Sequence, residues 1–534
     1  MQKAGFTHSP NVDDVADMST SEVVNLLHSK DATIDGMRQQ IDALMHRVAW
    51  FERQMFAARS ERYVPAPDPA QMHLGEVFPT SVEQASERRK VVAAHERRIA
   101  HNDMAEDADA SSFFDESRVP VQIINVVNPQ IQGLTPDQYE VIAEKVTYRL
   151  AQRPGSYVVL KYIRQVTKRK DTQTVHCPPA PTGVIEGSRA DVSFVAGLLV
   201  DKLQWHLPLY RQHQRIEGSG ITVSRPWLTQ ISQRAIGLLE PVYEAQFASI
   251  RASRVKSMDE TPIKAGRTGH GKMRQAYYWP VHGDREEICF AYFPSRAALH
   301  VKEALGLKHA EGSVLFSDGY AAYESYSKAV GVIHAQCWVH SRRAFFEAQD
   351  ADPEGVNEAL EQIKALYAVE DDIREQSLGG QSKRLHRLTH SKPIVDAFFA
   401  WVDQQFQRQG LLPSSPFTKA LNYVRERRHE LEVFLSDPDV PLDTNHLERA
   451  LRVIPMGRKS WLFCWTELGA EHVGIVQSLI TTCRLQGIDP YTYLVDVLQR
   501  VGQHPASRVA ELTPRLWKQH FAADPLRSDL QLAL

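Results

Sequence analysis

The sequence predicts a multidomain α/β protein, and three observations carry that expectation. The chain has 534 residues, whereas one domain usually takes about 100–200. Apolar residues recur at helical spacing over 34–55 and again over 189–250, and from about 254 the period changes to short strand-like runs with helices between the later ones. The composition, 43% hydrophobic and 24% charged, can build packed cores. It lies outside the ranges of collagen, wholesale disorder and disulfide scaffolds.

The first element is a spaced apolar series that opens at Leu27 and runs through Ile34, Met37, Ile41, Leu44, Val48, Phe51 and Met55. From Ile34 on, the steps are 3, 4, 3, 4, 3, 4, the seam of a coiled coil. One amphipathic helix packed on its own domain also carries a stripe, but the strict alternation favours self-association. Residues 1–64 are therefore expected to form a coiled-coil helix that holds a homo-oligomer together. Val64-Pro65-Ala66-Pro67-Asp68-Pro69 ends it, since each proline removes a donor and fixes φ. Residues 65–120 are charged and poorly patterned and read as a linker, partly disordered. Short β-like runs follow at 121–127 and 157–163. Cys177-Pro178-Pro179-Ala180-Pro181 reads as another linker.

Lys and Arg total 62 against 65 Asp and Glu, a net charge of −3. The whole molecule therefore has no broad basic field. Residues 151–256 nonetheless hold 15 Lys and Arg against 7 Asp and Glu, so positive charge is concentrated there. Within that stretch, 189–203 has helical periodicity, and a second helix begins at Leu207-Pro208. Gly218-Ser219-Gly220 breaks it, and Ser224 can cap a third, with Pro226 in its first turn. Helix, glycine-containing turn and helix in a basic region is what a helix-turn-helix DNA reader needs, although ordinary helical hairpins share the pattern. Residues 187–250 are assigned to this region, with Arg211, Arg215, Arg225 and Arg234 as candidate DNA contacts.

From 254 the period is that of strands, at 254–258, 275–281, 288–292, 314–317 and 332–337. Helices at 295–305 and 321–329 lie between the later ones. Three strands in succession and then alternating helix and strand fit a ribonuclease H-like sheet. Residues 353–435 are almost wholly helical, so a catalytic core over 251–465 would carry a helical insertion at about 350–440. A helical region, 466–534, ends the chain.

Three acidic residues stand out by position. Asp259 follows the first strand and Asp318 the fourth, while Glu448 lies early in a helix. Strand ends in an α/β sheet converge on one edge. Converging carboxylates are what two divalent metals need in order to activate a hydroxyl and stabilise a leaving alkoxide in phosphodiester cleavage. Each residue also has a plainer reading. Asp318-Gly319 is a common turn pair, Asp259 could simply end a strand, and Glu448 could partner Asn445 in a helix cap. Their shared order and setting carry the argument. Arg449, Arg452, Arg458 and Lys459 lie close by in sequence and suit phosphate contact, although a solvated face would look the same.

The motifs His206-Leu207-Pro208-Leu209-Tyr210-Arg211-Gln212, Asp259-Glu260-Thr261-Pro262, Ser317-Asp318-Gly319-Tyr320, Cys337-Trp338-Val339-His340-Ser341-Arg342-Arg343, Asn445-His446-Leu447-Glu448-Arg449-Ala450-Leu451-Arg452 and Gly457-Arg458-Lys459-Ser460-Trp461-Leu462-Phe463 occur in that order. With them the chain resembles the insertion sequence 66 family, a group of bacterial DDE transposases. The resemblance implies a ribonuclease H-like core in which Asp259, Asp318 and Glu448 form the triad and hold Mg²⁺ or Mn²⁺, as a pair of ions. It implies cleavage at the terminal inverted repeats of an insertion sequence and joining of 3′ ends to target DNA. The implied partners are double-stranded DNA (element ends and target) and accessory proteins of the same element. His340 is placed near the carboxylates as a contact to DNA or the reacting phosphate, and Arg342 and Arg343 as backbone binders. A nuclease on the same fold that does not join strands, and a DNA-binding scaffold with a decayed centre, are the alternatives.

The family carries a cysteine-rich zinc segment before the helix-turn-helix. Here 121–186 holds only Cys177 beside His176, and two ligands cannot close a tetrahedral site. A degenerate finger held by packing, with no structural zinc, is expected. The five cysteines are scattered, as in a reducing compartment. The longest apolar run, near 192–200, is too short to span a membrane, and no membrane partner is expected. Met1-Gln2-Lys3-Ala4-Gly5 lacks the apolar core of a secretory signal. A bacterial cytoplasmic protein, at the nucleoid when bound to DNA, is expected.

Removing residues 1–62 is expected to lower the oligomeric mass measured by light scattering. An unchanged mass would place the apolar stripe inside the chain's own fold.

Overall fold

The computed structural model describes residues 113–532, apart from 154, 270, 271, 409 and 410. The expected coiled coil and most of the expected linker lie outside the described residues. A long hairpin organises the first sheet. Strand β2 (Tyr139–Arg153) pairs antiparallel with β3 (Ser156–Arg169), whose other edge takes β1 (Val121–Val126) in parallel and the short β4 (Val175–His176). The turn needs Gly155, at φ +84°. The sequence showed only fragments of these strands. The outer half of β2, with Glu140, Glu144 and Lys145, is polar and lacks alternating burial. Ala151, Val158, Leu160 and Tyr162 bury a small core against Leu530, and the Tyr162 hydroxyl donates to Asp529 (2.8 Å).

Three helices follow where the sequence placed them: α1 (Val192–Leu203), α2 (Leu209–Gly218) and α3 (Arg225–Arg251). Asp191 caps α1 by accepting from the Ser193 amide (2.9 Å), and Ser224 caps α3 through the Trp227 amide (3.3 Å). The 27-residue α3 buries Leu228, Ile231, Leu239, Val242 and Ile250. That face belongs to one continuous apolar core that also holds Met258, Trp279 and Phe290 of the following sheet.

The sheet has six strands: β5 (Val255–Met258), β6 (Thr261–Gly269), β7 (Lys272–Gly283), β8 (Glu287–Phe293), β9 (Val314–Ser317) and β10 (Ile333–Gln336). Helix α4 (Leu299–Leu305) precedes β9, and α5 (Ala321–Val330) joins β9 to β10. Strands β10, β9 and β5 run parallel, and β7 is antiparallel to β5, β6 and β8. Strands β5 and β6 lie end to end along one edge of β7, with β8 on the other. Strand β6 had no counterpart in the sequence reading, because Pro262 and the exposed Lys264 and Arg267 disguise it. The strand expected at 332–337 stops at Gln336, and Cys337 instead caps the next helix, α6 (Trp338–Phe346).

Helices α7 (Pro353–Glu375), α8 (Gly380–His386), α9 (Lys392–Gln405), α10 (Pro416–Glu426) and α11 (Arg428–Ser436) form the interruption, with a π-turn at Arg387–Ser391. They share a second core around Trp338, Phe345, Phe398 and Trp401. The wholly buried Arg387 pairs with Glu370 (2.7 Å) and donates to the carbonyls of Phe434 (2.8 Å) and Val440 (2.9 Å). These partners are needed, because an unpaired buried guanidinium is very costly.

Next come α12 (Asn445–Leu451), α13 (Val453–Trp461) and α14 (Glu467–Leu485). Gly457, Arg458 and Lys459 lie in α13. Helix α14 closes the outer edge of β8. The Ile288 amide donates to Thr482 Oγ1 (3.1 Å) and the Phe290 amide to Ser478 Oγ (2.8 Å). Hydroxyls on a helix thus replace a missing strand and cover an edge that would otherwise template aggregation. Helices α15 (Pro490–Arg500), α16 (Pro514–His520) and α17 (Asp529–Leu532) complete the chain. No helix among the described residues is long and apolar enough to cross a membrane.

The close approach of α14 to β8 depends on Gly474, where an added Cβ would stand 2.5 Å from the Phe290 carbonyl oxygen. Alanine adds about 1 kcal/mol of helix propensity, but the contact is with strand backbone that cannot rotate away. Gly474→Ala is therefore expected to lower stability by about 1–3 kcal/mol in denaturant unfolding.

Candidate active site

The site starts from strand register. Val255 pairs with Val314, Lys256 with Leu315 and Ser257 with Phe316, in parallel. Continuing that register sets Asp259 opposite Asp318, each one residue beyond the end of its strand. Parallel neighbours deliver both carboxylates to the same pole of the sheet. The backbone then holds them. The Asp259 amide donates to the Pro280 carbonyl (3.3 Å), and Asp259 Oδ1 accepts from the Glu260 amide (2.7 Å). Asp318 Oδ1 accepts from the Tyr320 amide (2.9 Å). Asp318-Gly319 does bend the chain, as the plain reading of that pair expects.

Glu448 arrives on α12, which two contacts fix. Cys337 Sγ accepts from the Thr444 amide and hydroxyl, both at 3.2 Å. His446 Nε2 lies 3.1 Å from Ser257 Oγ, and its ring meets His282 edge-on at 4.9 Å. The helix is thereby tied to β5 two residues before Asp259. The cap reading of Glu448 is not what the structure uses. Asn445 Nδ2 donates to Asp443 (2.6 Å), and the Glu448 amide bonds the Thr444 carbonyl (2.9 Å).

The electrostatics register the convergence. The Asp259 carboxyl is pushed up to about 7, first by desolvation, then by the charge of Glu260, with Asp318 and Glu448 adding to it. Glu260 has partners of its own, an ion pair with Arg296 and the Tyr323 hydroxyl (2.6 Å). Sequence reasoning missed Arg296, whose guanidinium also lies 4.4 Å over the Tyr320 ring; its neighbours Ser295 and Ala297 give no signal.

A cleft of about 330 Å³ opens beside Asp318, lined by His340, Arg343, Arg296 and Tyr320 among others. His340 Nδ1 is buried without a hydrogen-bond partner. Burial lowers the His340 pKa, while Asp318, Glu448 and Glu260 oppose that fall. The His340 ring thus lies near the acidic pole and is held toward its neutral form.

The other expected contacts fall into two places. Arg342 and Arg343 are exposed on α6, Arg449 and Arg452 on or just beyond α12, and Lys459 on α13. Arg458 is half-buried and donates to the Pro262 carbonyl. Arg211, Arg225 and Arg234 are exposed on α2 and α3, and Arg225 lies over the Tyr210 ring. Arg215 is already engaged by Asp201 and the Tyr157 hydroxyl (2.8 Å).

As a metal site the donor chemistry fits. Carboxylate oxygens are the donors a hard divalent cation prefers, and the charges of Glu260, Asp318 and Glu448 add to the rise of the Asp259 pKa. Among the described residues, no three His, Cys, Asp or Glu side chains stand together as a ready-made metal site.

Comparison with known proteins gives three family matches. Residues 187–472 match the transposase IS66 family, 478–515 the IS66 C-terminal element, and 43–109 a segment described as transposase C of IS166 homeodomain. The uncharacterized protein y4hP of Sinorhizobium fredii is 30% identical over 72% of this chain and 72% of its own length. The uncharacterized y4qI of the same organism is 27% identical over 74% of this chain and 75% of its own length.

The raised Asp259 pKa fixes the sign of a stability effect. Its folded value lies above the ordinary carboxylate value of 3.8. The contribution is therefore fully present below about 3.8 and lost as pH rises through about 7. In metal-free buffer Asp259→Asn is expected to be more stable than the parent at pH 8, by about 1–4 kcal/mol. The gap should close toward pH 4 in thermal unfolding. Equal stability at both pH values would remove the electrostatic strain.

Proposed function

The chain belongs to the IS66 family of transposases, and from that premise we propose that it binds the terminal inverted repeats of an insertion sequence, cuts them and joins the freed 3′ ends to target DNA. The observation that carries the reading is the in-register placement of Asp259 and Asp318 on neighbouring parallel strands, with Glu448 near enough to raise the Asp259 pKa. The strand order, three antiparallel strands followed by two parallel ones on the far side of β5, supports a ribonuclease H-like core. The basic α1–α2–α3 segment supports a helix-turn-helix reader.

In this reading Asp259, Asp318 and Glu448 would hold two divalent cations, Mg²⁺ or Mn²⁺, which when bound acidify the attacking hydroxyl and neutralise the leaving alkoxide. The protein's own groups do the rest. Asp259 and Asp318, fixed by backbone, set where the scissile phosphate sits. His340, which lines the cleft beside Asp318, contacts that phosphate or the adjoining DNA. Arg342, Arg343, Arg449 and Arg452 grip the flanking strand, and Arg458 and Lys459 follow the duplex. Water attacks the phosphorus first, its oxygen bonding as the 3′ oxygen leaves. The freed 3′ hydroxyl then attacks a target phosphodiester in the same way, with no covalent protein intermediate. Arg211, Arg225 and Arg234 contact the element end, and Arg215 contributes through its exposed edge. Residues 1–64 join copies of the chain.

Asp259→Asn, Asp318→Asn and Glu448→Gln are each expected to abolish Mg²⁺-dependent cleavage of duplexes carrying the DNA that flanks this gene. Binding measured by fluorescence anisotropy should persist. Cleavage at the parent rate in any of them would remove that residue from the triad. Failure to join precleaved ends would favour the nuclease reading.

A further inference from the structure

The helix that follows Glu448 ends in a strained turn. Leu462 has φ +60° and ψ −54°, and the Phe463 amide donates to the Trp461 carbonyl (2.7 Å). This is a γ-turn of the rarer hand, which a residue with a Cβ adopts only when its surroundings force it. The side chain so placed does not pack: Leu462 is 65% exposed. A lone exposed leucine is ordinary, but one held outward by backbone strain calls for a use.

The surroundings explain how the strain is held. Trp461 folds back over Gly457, where a Cβ would stand 2.6 Å from its indole nitrogen. On the other side, the Cys464 amide donates to the Lys264 carbonyl (2.9 Å) and the Gly266 amide to the Cys464 carbonyl (3.2 Å), which pins the chain to β6. Trp465 is stacked beneath Arg267 at 4.3 Å. The tip is thus an aliphatic point on an aromatic base, and exposed Lys264, Arg267 and Lys459 lie on the adjoining segments. It is pinned to β6 at Ala265, six residues and roughly 20 Å of strand beyond Asp259, and Arg458 bonds the start of that strand at Pro262.

An apolar point flanked by cations matches a base stack enclosed by phosphates. Proteins that kink or open a duplex insert aliphatic side chains in this way. We propose that Leu462 is a wedge that enters the bound duplex within one helical turn of the scissile phosphate and unstacks the base pair it meets. This rests on the DNA-cutting reading above. The strained turn keeps the side chain from retreating into its own fold, so the contact costs little ordering when DNA arrives.

The test uses the full chain and duplexes built from the flanking DNA, with 2-aminopurine placed in turn at each pair within one helical turn of the cut. In Ca²⁺ buffer, binding of the parent protein is expected to raise 2-aminopurine fluorescence at least twofold. Leu462→Ala and Leu462→Gly should bind within about twofold of the parent but give no rise. In Mg²⁺, both variants should cut the matched duplex at least tenfold more slowly and recover on a duplex mismatched at that pair. Glycine should also raise the melting temperature, because it relieves the turn. A fluorescence rise retained in Leu462→Ala, or equal slowing on matched and mismatched duplexes, overturns the wedge. So does a change in solution mass with unchanged fluorescence, which would assign the tip to a protein contact. Failure of the parent to cut in Mg²⁺ while still raising the fluorescence would count against the cutting reading and leave the wedge standing.

Discussion

The in-register parallel pairing of β5 with β9 is the constraint on which the rest of the site depends. Four residues of each strand are fully buried, so a slip of one position would move every side chain to the wrong face. Register is therefore held by the core, and the positions of Asp259 and Asp318 follow from it. The carboxylates need no dedicated scaffold, because the hydrophobic packing that makes the sheet also sets their pole.

Glu448 is held differently. It reaches the same pole from 130 residues beyond Asp318, across an insertion with its own aromatic core. The connection is controlled at both ends. Arg254, just before β5, pairs with Asp437 (2.6 Å) and Asp439 (2.6 Å) at the exit of the insertion. The Cys337 thiol then receives two hydrogen bonds from Thr444, and His446 reaches Ser257. These polar contacts sit in half-buried surroundings, where each is worth more than at the surface. Together they make α12 an extension of the sheet rather than of the helical bundle.

The acidic pole carries a cost that the fold tolerates. Glu260 is paired with Arg296 and accepts from the Tyr323 hydroxyl, yet its charge still adds to the rise of the Asp259 pKa. Local strain of this kind, and the γ-turn at Leu462, persists because the surrounding core over-determines both positions. Each departs from what its local sequence prefers.

Much of this was legible in one dimension. The helices at α1, α2 and α3, the cap at Ser224, and five of the six strands of the larger sheet follow from period and capping chemistry, which act over a few residues. So did Asp259, Asp318 and Glu448 as candidates, through their places at the ends of elements and in the family's motifs. Strand β6, the extent of β2 and β3, the helical setting of Arg458, the pairing of Arg296 with Glu260 and the tie from His446 to Ser257 were not legible. Each depends on pairing with another segment, up to 196 residues away for Arg458 and Pro262, and the propensity of a polar or proline-bearing stretch says nothing about which edge or carboxylate will receive it. The sequence by itself determined which residues carry charge and where elements begin. Only the packed sheet decided which charges meet, because convergence is a property of register and burial between distant segments.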